Sequence, residues 1–134
     1  MSNSGIGFIG LGQMGLGMAN NLGRVASPFY AYDALSEATK RLEGDDIIIA
    51  SSVSNMAQNC HLIFLCLPSA KEVKEVIFGP EGIVDSALPN LSIIDTSTID
   101  RTDAISIHNQ LAGKGITYAD CPISGLPFRA ADGT

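Results

Sequence analysis

Short, unbroken apolar runs recur along the chain, and the stretches between them change to helical spacing. The runs IGFI, IIIA, LIFLCL and LSII are too brief to span a bilayer and carry no polar alternation. A strand that is apolar on both sides needs cover on both faces, as in a parallel sheet packed between helices. Between the first two strands, Met14, Met18, Ala19 and Leu22 fall on one face of a helix predicted over residues 13–23.

Read from end to end, strand and helix signals alternate. Strands are predicted over residues 5–9, 28–33, 47–50, 61–67, 91–95 and 116–120. Helices are predicted over 13–23, 36–42, 52–58, 69–78, 80–87 and from 100 to about 112. Pro68 suits the end of a strand, and Pro80 the first turn of a helix. Asp100 can cap the last helix, and Gly113 or Gly115 can end it. This order predicts a single α/β domain over residues 1–134, a doubly wound parallel sheet of the Rossmann kind. Right-handed crossovers then bring the C-terminal ends of all strands to one edge, where ligands bind.

Charge narrows the ligands that edge can take. Fourteen acidic residues against eight basic ones give a net charge of −6, the wrong sign for nucleic acid, and with no run long enough to span a bilayer no membrane partner is expected. A dinucleotide is still compatible, because amides at a helix start hold phosphate without Lys or Arg. Cys60, Cys66 and Cys121 form no CxxC spacing. Cys60, His61 and Cys66 are the only imaginable metal ligands, and Cys66 inside an apolar run reads as core, so no metal is expected. Free thiols suit a reducing compartment, and a strand opening near residue 5 leaves no room for a leader; a cytoplasmic protein is expected.

Gly10-Leu11-Gly12-Gln13-Met14-Gly15 is a GxGxxG placed between a strand and a helix, the context in which that spacing has a mechanism. Gly10 would permit the tight turn, Gly12 the approach of a pyrophosphate, and Gly15 the packing of helix on strand. Asp33 ends the second strand, where a carboxylate can accept from both ribose hydroxyls of an adenosine and repel a 2′-phosphate; alternatively it caps the next helix. Ala34 follows it where an NADP site would profit from Arg, so NAD is favoured over NADP, a preference that Lys40 and Arg41 weaken without reversing. Leu67 and Pro68 could line the apolar side of a cofactor, and Thr98 could offer a hydroxyl near the nicotinamide; ordinary strand termination and capping is the alternative. Ser124 and the Gly125 amide could bind a carboxylate or hydroxyl of a substrate, although a Ser-Gly pair is often just a turn. A Ser-His hydrolase is not expected. His61 opens a strand at the end away from the cleft, and His108 lies mid-helix, so neither meets Ser97 or Ser124.

Taken together, the blocks resemble the β-hydroxyacid dehydrogenases, a family that includes 3-hydroxyisobutyrate dehydrogenase, with 6-phosphogluconate dehydrogenase a more distant relative. The resemblance runs in order through GFIGLGQMGLGMANNL at 7–22, LPSAKEVKEVIFGPEGI at 67–83, IIDTSTID at 93–100, GKGITYADCPISG at 113–125 and the Ala130, Gly133-Thr134 ending. It implies hydride transfer between a small 3-hydroxy acid and NAD(P). By the same resemblance Gly10, Gly12, Gly15, Leu67, Pro68 and Thr98 contact cofactor, and Ser124 and Gly125 meet the acid end of the substrate. The proton in such enzymes is moved by a lysine of a GxxxKxxxN-like helix beyond the last block. Lys40, Lys71, Lys74 and Lys114 are not in that setting, so no catalytic residue is expected among residues 1–134. The helical second domain of the family, which closes the cleft and supplies the oligomer interface, is likewise expected to be absent from this stretch. Two departures touch substrate choice: Leu126 replaces the second glycine of an SGG pattern, and Arg129 stands where a small residue is usual. A non-catalytic NAD-binding or protein-interaction module is the alternative function; a phosphogluconate enzyme would need an Arg/Lys set for phosphate that is not visible.

Overall fold

A computed structural model describes residues 4–134. The expectation of no leader rests partly on Met1–Asn3, which lie outside the described residues. The elements are β1 (Gly5–Ile9), α1 (Gln13–Gly23), β2 (Phe29–Tyr32), α2 (Ser36–Thr39), β3 (Ile47–Ile49) and α3 (Val53–Asn59), followed by β4 (Cys60–Leu65), α4 (Ala70–Phe78) and α5 (Ile83–Ser86). The chain continues through β5 (Ser92–Asp95), α6 (Arg101–Ala112), β6 (Thr117–Asp120) and α7 (Pro127–Asp132). The strands form one sheet in the order β3-β2-β1-β4-β5-β6, with every pairing parallel. The predicted α/β doubly wound fold is therefore the observed one. The strand order reverses between β1 and β4, the position where a crevice opens in sheets of this topology.

The apolar runs go to two cores. Ile9, Ile63, Leu65 and Ile93 point to the face covered by α3, α4, α5 and α6, where Met56, Val73, Ile77, Ile83 and Ile107 are fully buried. Phe8, Phe29 and Ala31 point the other way and meet Leu11, Ala19, Met18 and Leu22. Phe8 stacks on Phe64 of β4, with ring centroids 6.1 Å apart and planes 12° from parallel. Gly7 is the counterpart on the opposite face: a Cβ there would stand 2.4 Å from Met56 Sδ. None of the helices among the described residues is long and apolar enough to cross a membrane.

Several boundaries differ from expectation, each for a local reason. Pro80 does not open a helix. Gly79–Gly82 form a turn closed by Gly82 N–H donating to Gly79 O at 2.9 Å, with Glu81 at a φ of 58°, and α5 starts only at Ile83. β4 stops at Leu65, two residues early, because Leu67 N–H leaves the ladder for a side chain. α2 ends at Thr39, and turns carry the chain to Leu42. Asp100 does cap α6, accepting from Thr102 N–H at 3.0 Å, and Gly113 ends it.

One helix escaped the periodicity altogether. α7 is only six residues long, starts on Pro127 and ends on Gly133 in the left-handed region at a φ of 83°. It docks on α1 where Gly17 has no side chain: a Cβ there would lie 2.6 Å from the backbone of Ala130 and Ala131. Asn21 Nδ2 completes the seam by donating to Ala130 O at 2.8 Å. Removing that donor in Asn21→Ala should cost about 1 kcal/mol of docking, hence ~fivefold faster opening of α7. Tryptic cleavage after Arg129 should accelerate by that factor with little change in the unfolding midpoint; equal cleavage rates in the two proteins would refute the docking role.

Candidate functional site

The turn after β1 is built by close backbone contact. Gly10 has a φ of +104°, and a Cβ on it would sit 2.1 Å from Cys66 O of the neighbouring strand end. A Cβ on Gly15 would lie 1.8 Å from Gly10 O and 3.2 Å from the Phe8 ring. These two glycines press the start of α1 against the sheet. Gly12 differs: nothing lies within 4 Å of where its Cβ would be. It precedes α1 in extended conformation, with no side-chain cap and no acidic residue in the first turn. The amides at the start of a helix lack intrahelical acceptors, so those of Gln13, Met14 and Gly15 form the positive end of the helix dipole. Gly12 and Gln13 are exposed, Met14 is half-buried, and Leu11 is packed into the core.

Asp33 stands beside this turn. Its Oδ2 accepts from Leu11 N–H and its Oδ1 from Leu35 N–H, both at 2.8 Å. The carboxylate thus ties the end of β2 to the glycine turn. Its bond to Leu35 starts the turn into α2, although Leu35, not Asp33, is the residue preceding that helix. Half-exposed, with further lone pairs on each oxygen, Asp33 can still accept from a ligand.

At the ends of β4, β5 and β6 the side chains take over from the ladder. Thr96 N–H donates to Leu65 O at 2.8 Å and Cys121 N–H to Asp95 O at 2.8 Å. Beyond these rungs, Leu67 N–H donates to Ser97 Oγ at 2.8 Å, and Ser97 N–H to Asp95 Oδ1 at 3.0 Å. The Tyr118 hydroxyl donates to Asp95 Oδ2 at 2.6 Å. Asp95, Ser97 and Tyr118 are all buried, whereas Pro68 and Thr98 stand exposed at the edge and Leu67 is half-buried. Sequence reasoning noticed Thr98 and missed the three residues behind it. The signal was a carboxylate closing an apolar run, which folding buries only with partners.

Ser124 and Gly125 follow β6 as the chain returns toward α1. Gly125 has a φ of +119°. Ser124 lines a groove of about 340 Å³ with Met14, Met18, Phe64, Arg129 and Ala130. The groove therefore brings the glycine-turn residue Met14 to Ser124, while Leu67, Pro68 and Thr98 are not among its lining residues. Leu126 is exposed just before α7.

His61 bonds to Ser4, with its Nδ1 3.0 Å from Ser4 Oγ, and His108 is exposed on α6 in a separate groove with Arg101, Tyr118 and Asp120. Among the described residues no three His, Cys, Asp or Glu side chains converge as metal ligands. Burial pushes the Cys60 thiol up to about 12. It also raises Cys66, an effect opposed by a hydrogen bond from Thr96 and reinforced by the Asp95 charge. Tyr118 is raised by burial first and then by its bond to Asp95. Asp120 is raised by desolvation and by the nearby Asp95 charge.

A parallel sheet of this strand order, with a glycine turn feeding a free helix N-terminus at its switch point, defines the dinucleotide-binding class of α/β domains. Residues 5–134 match the family model described as the NAD binding domain of 6-phosphogluconate dehydrogenase, and the chain belongs to that family. It is 33% identical to mouse (Mus musculus) mitochondrial 3-hydroxyisobutyrate dehydrogenase over 124 residues, 92% of this chain and 37% of that protein. It is 31% identical to Escherichia coli L-threonate dehydrogenase over 129 residues, 96% of this chain and 43% of that one. Among solved structures, the 3-hydroxyisobutyrate dehydrogenase of Mycobacterium tuberculosis with L-serine superposes with a TM-score of 0.87 at 27% identity. That match takes in 100% of this chain and 45% of the other. The chain thus spans less than half the length of these relatives.

The buried thiol and phenol set the alkaline behaviour. The folded chain keeps the Cys60 proton to about 12, while an unfolded thiol releases it from its ordinary value of 9.0. Above pH 9 the unfolded state therefore binds fewer protons, and stability falls as pH rises toward 12. Tyr118 adds to the same slope from its ordinary 10.0 upward. Urea midpoints measured between pH 8 and 11 should fall, and less steeply in Cys60→Ala than in the parent; parallel slopes would contradict the assignment.

Proposed function

We propose that this chain is the NAD-binding half of an oxidoreductase that moves a hydride between a nicotinamide cofactor and a small 3-hydroxy acid. The observation that carries the reading is the open space at Gly12 in front of the uncapped start of α1, beside the Asp33 carboxylate. Amides of Gly12, Gln13, Met14 and Gly15 belong to the segment that would face a pyrophosphate, with Leu11 supporting it through its own N–H bond to Asp33, and Asp33 would accept from the adenosine ribose. A 2′-phosphate would meet that carboxylate, with Ala34 offering no cation. Lys40 is paired to Glu37 at 2.8 Å, which supports NAD over NADP. The nicotinamide end would lie by Leu67, Pro68 and Thr98.

The acid end of the substrate would be taken by Ser124 and the Gly125 amide, with Arg129 near by as a cation for a second acidic group. Among the described residues, Arg129 is the one Lys or Arg side chain lining that groove, which supports a small hydroxy acid over a phosphorylated sugar acid. The general acid/base would be a lysine of a second, helical domain beyond residue 134, a domain that would also close the cleft and supply the contacts of a homo-oligomer. Among the lysines present, Lys74 pairs with Asp103 at 2.5 Å and Lys40 with Glu37 at 2.8 Å. Unpaired thiols at Cys60, Cys66 and Cys121 support a reducing compartment such as the cytoplasm.

Titration calorimetry of the 134-residue chain with NADH and NADPH tests the cofactor reading. NADH should bind the more tightly, and Asp33→Asn should narrow the ratio of the two dissociation constants by about tenfold, the size of one charge-assisted hydrogen bond plus lost repulsion. Absence of NADH binding at millimolar concentration would overturn the proposal, and an unchanged ratio would remove Asp33 from it. In single-turnover mixtures with NAD and 3-hydroxy acids the chain should form negligible NADH, since a missing general acid/base alone costs about 10²–10⁴-fold.

A further inference from the structure

Asp95, Ser97 and Tyr118 form a buried polar network that the proposed cofactor contacts do not include. Asp95 is fully buried and Ser97 nearly so. A carboxylate in such a position costs free energy unless every charge-bearing oxygen is paired, and an apolar pair of similar volume would serve stability as well or better. Both Asp95 oxygens are paired, and the pairing is directional. It runs from the Tyr118 hydroxyl on β6, through Asp95 on β5 and Ser97, to the Leu67 amide at the end of β4.

The parallel ladder carries Leu65, Asp95 and Asp120 in register, and its last rungs are at Thr96 and Cys121. Leu67 lies past the ladder, so the direction in which Leu67-Pro68 leave β4 is set by a hydroxyl and not by a strand. Thr98 follows Ser97 directly, so the same residue that fixes Leu67 fixes the start of the Thr98 segment. The hydrogen bonds around Asp33 and Leu11, on the other side of the switch point, share no residue with this network.

We infer that Asp95, Ser97 and Tyr118 are positioning residues that set the nicotinamide end of the cofactor site while leaving the adenosine end untouched. None of them needs to touch the cofactor; they act through Leu67, Pro68 and Thr98. The inference rests on the cofactor reading proposed above, and it adds that the two ends of the site are held by separable sets of bonds.

Comparing NADH with ADP-ribose, which lacks the nicotinamide, separates this role from a general one in stability. In the 134-residue chain, Tyr118→Phe and Ser97→Ala should each weaken NADH by about tenfold, the equivalent of one lost positioning hydrogen bond, with ADP-ribose affinity unchanged. Because the bonds lie in series, the double variant should lose less than the product of the two single losses. ADP-ribose binding also reports that each variant is folded; if Tyr118→Phe does not fold, Ser97→Ala leaves the Asp95–Tyr118 pair intact and carries the test. Equal losses for both ligands, or no loss for either, would overturn the positioning role while leaving the cofactor reading standing. A parent chain that binds neither ligand would overturn both.

Discussion

The tightest constraint in the molecule is the crowding of backbone around Gly10. Three pieces of chain meet there: the end of β1, the end of β4 through Cys66 O, and the first turn of α1 through Gly15. No side chain fits between them, and the φ of +104° excludes an ordinary residue on conformational grounds as well. With β1 at the centre of the sheet, this contact fixes the angle at which α1 leaves and the distance from its amides to the switch point. Phe8 and Leu11, which flank the turn in sequence, are buried together in one core beneath α1. The position of the free amides at the start of α1 is thus a consequence of packing.

The same contact explains why so much could be read from sequence. Glycine at residues 10, 12 and 15 and apolar runs without alternation are local signatures, and alternating strands and helices point to a doubly wound parallel sheet with its strand ends on one edge, though not to the strand order. Asp33 was legible because its neighbours in sequence announce the end of β2. What could not be read depends on partners far apart along the chain. Tyr118 and Asp95 are joined by a bond across 23 residues, and Ser97 reaches Leu67 across 30. α7 is too short to show a period, and its docking depends on an absence, the missing side chain of Gly17. Pro80 misled because its ring suits a helix start, while Gly79 and Gly82 around it close a turn instead.

The two faces of the sheet are unequally covered. α3, α4, α5 and α6 seal one face completely, and the fully buried aliphatic residues of β4 and β5 belong to it. On the other face α1 and α2 serve β1 and β2, while Leu62, Phe64 and Ile94 of β4 and β5 are only partly buried. The returning segment from Cys121 to Thr134 reaches α1 across that side, which is why Ser124 and Arg129 share a groove with Met14, Met18 and Phe64. A short helix pinned by Asn21 and a gap at Gly17 thus decides where the residues after β6 come to rest relative to the glycine turn.

The acidic balance of the chain also bears on how an anionic dinucleotide could be held. At −6 the net field opposes a phosphate at long range, yet exposed charges beyond roughly 8–10 Å are largely screened at physiological salt. What acts at the site is short-ranged: amides at the start of an eleven-residue helix with no acid in its first turn. The nearest carboxylate, Asp33, has one lone pair on each oxygen committed to a backbone amide, which partly offsets its charge toward the turn. Its remaining capacity is for donors, and ribose hydroxyls are donors where a phosphate is not. One side chain therefore fixes the glycine turn and, on the proposed reading, would tolerate a pyrophosphate beside it and disfavour a third phosphate.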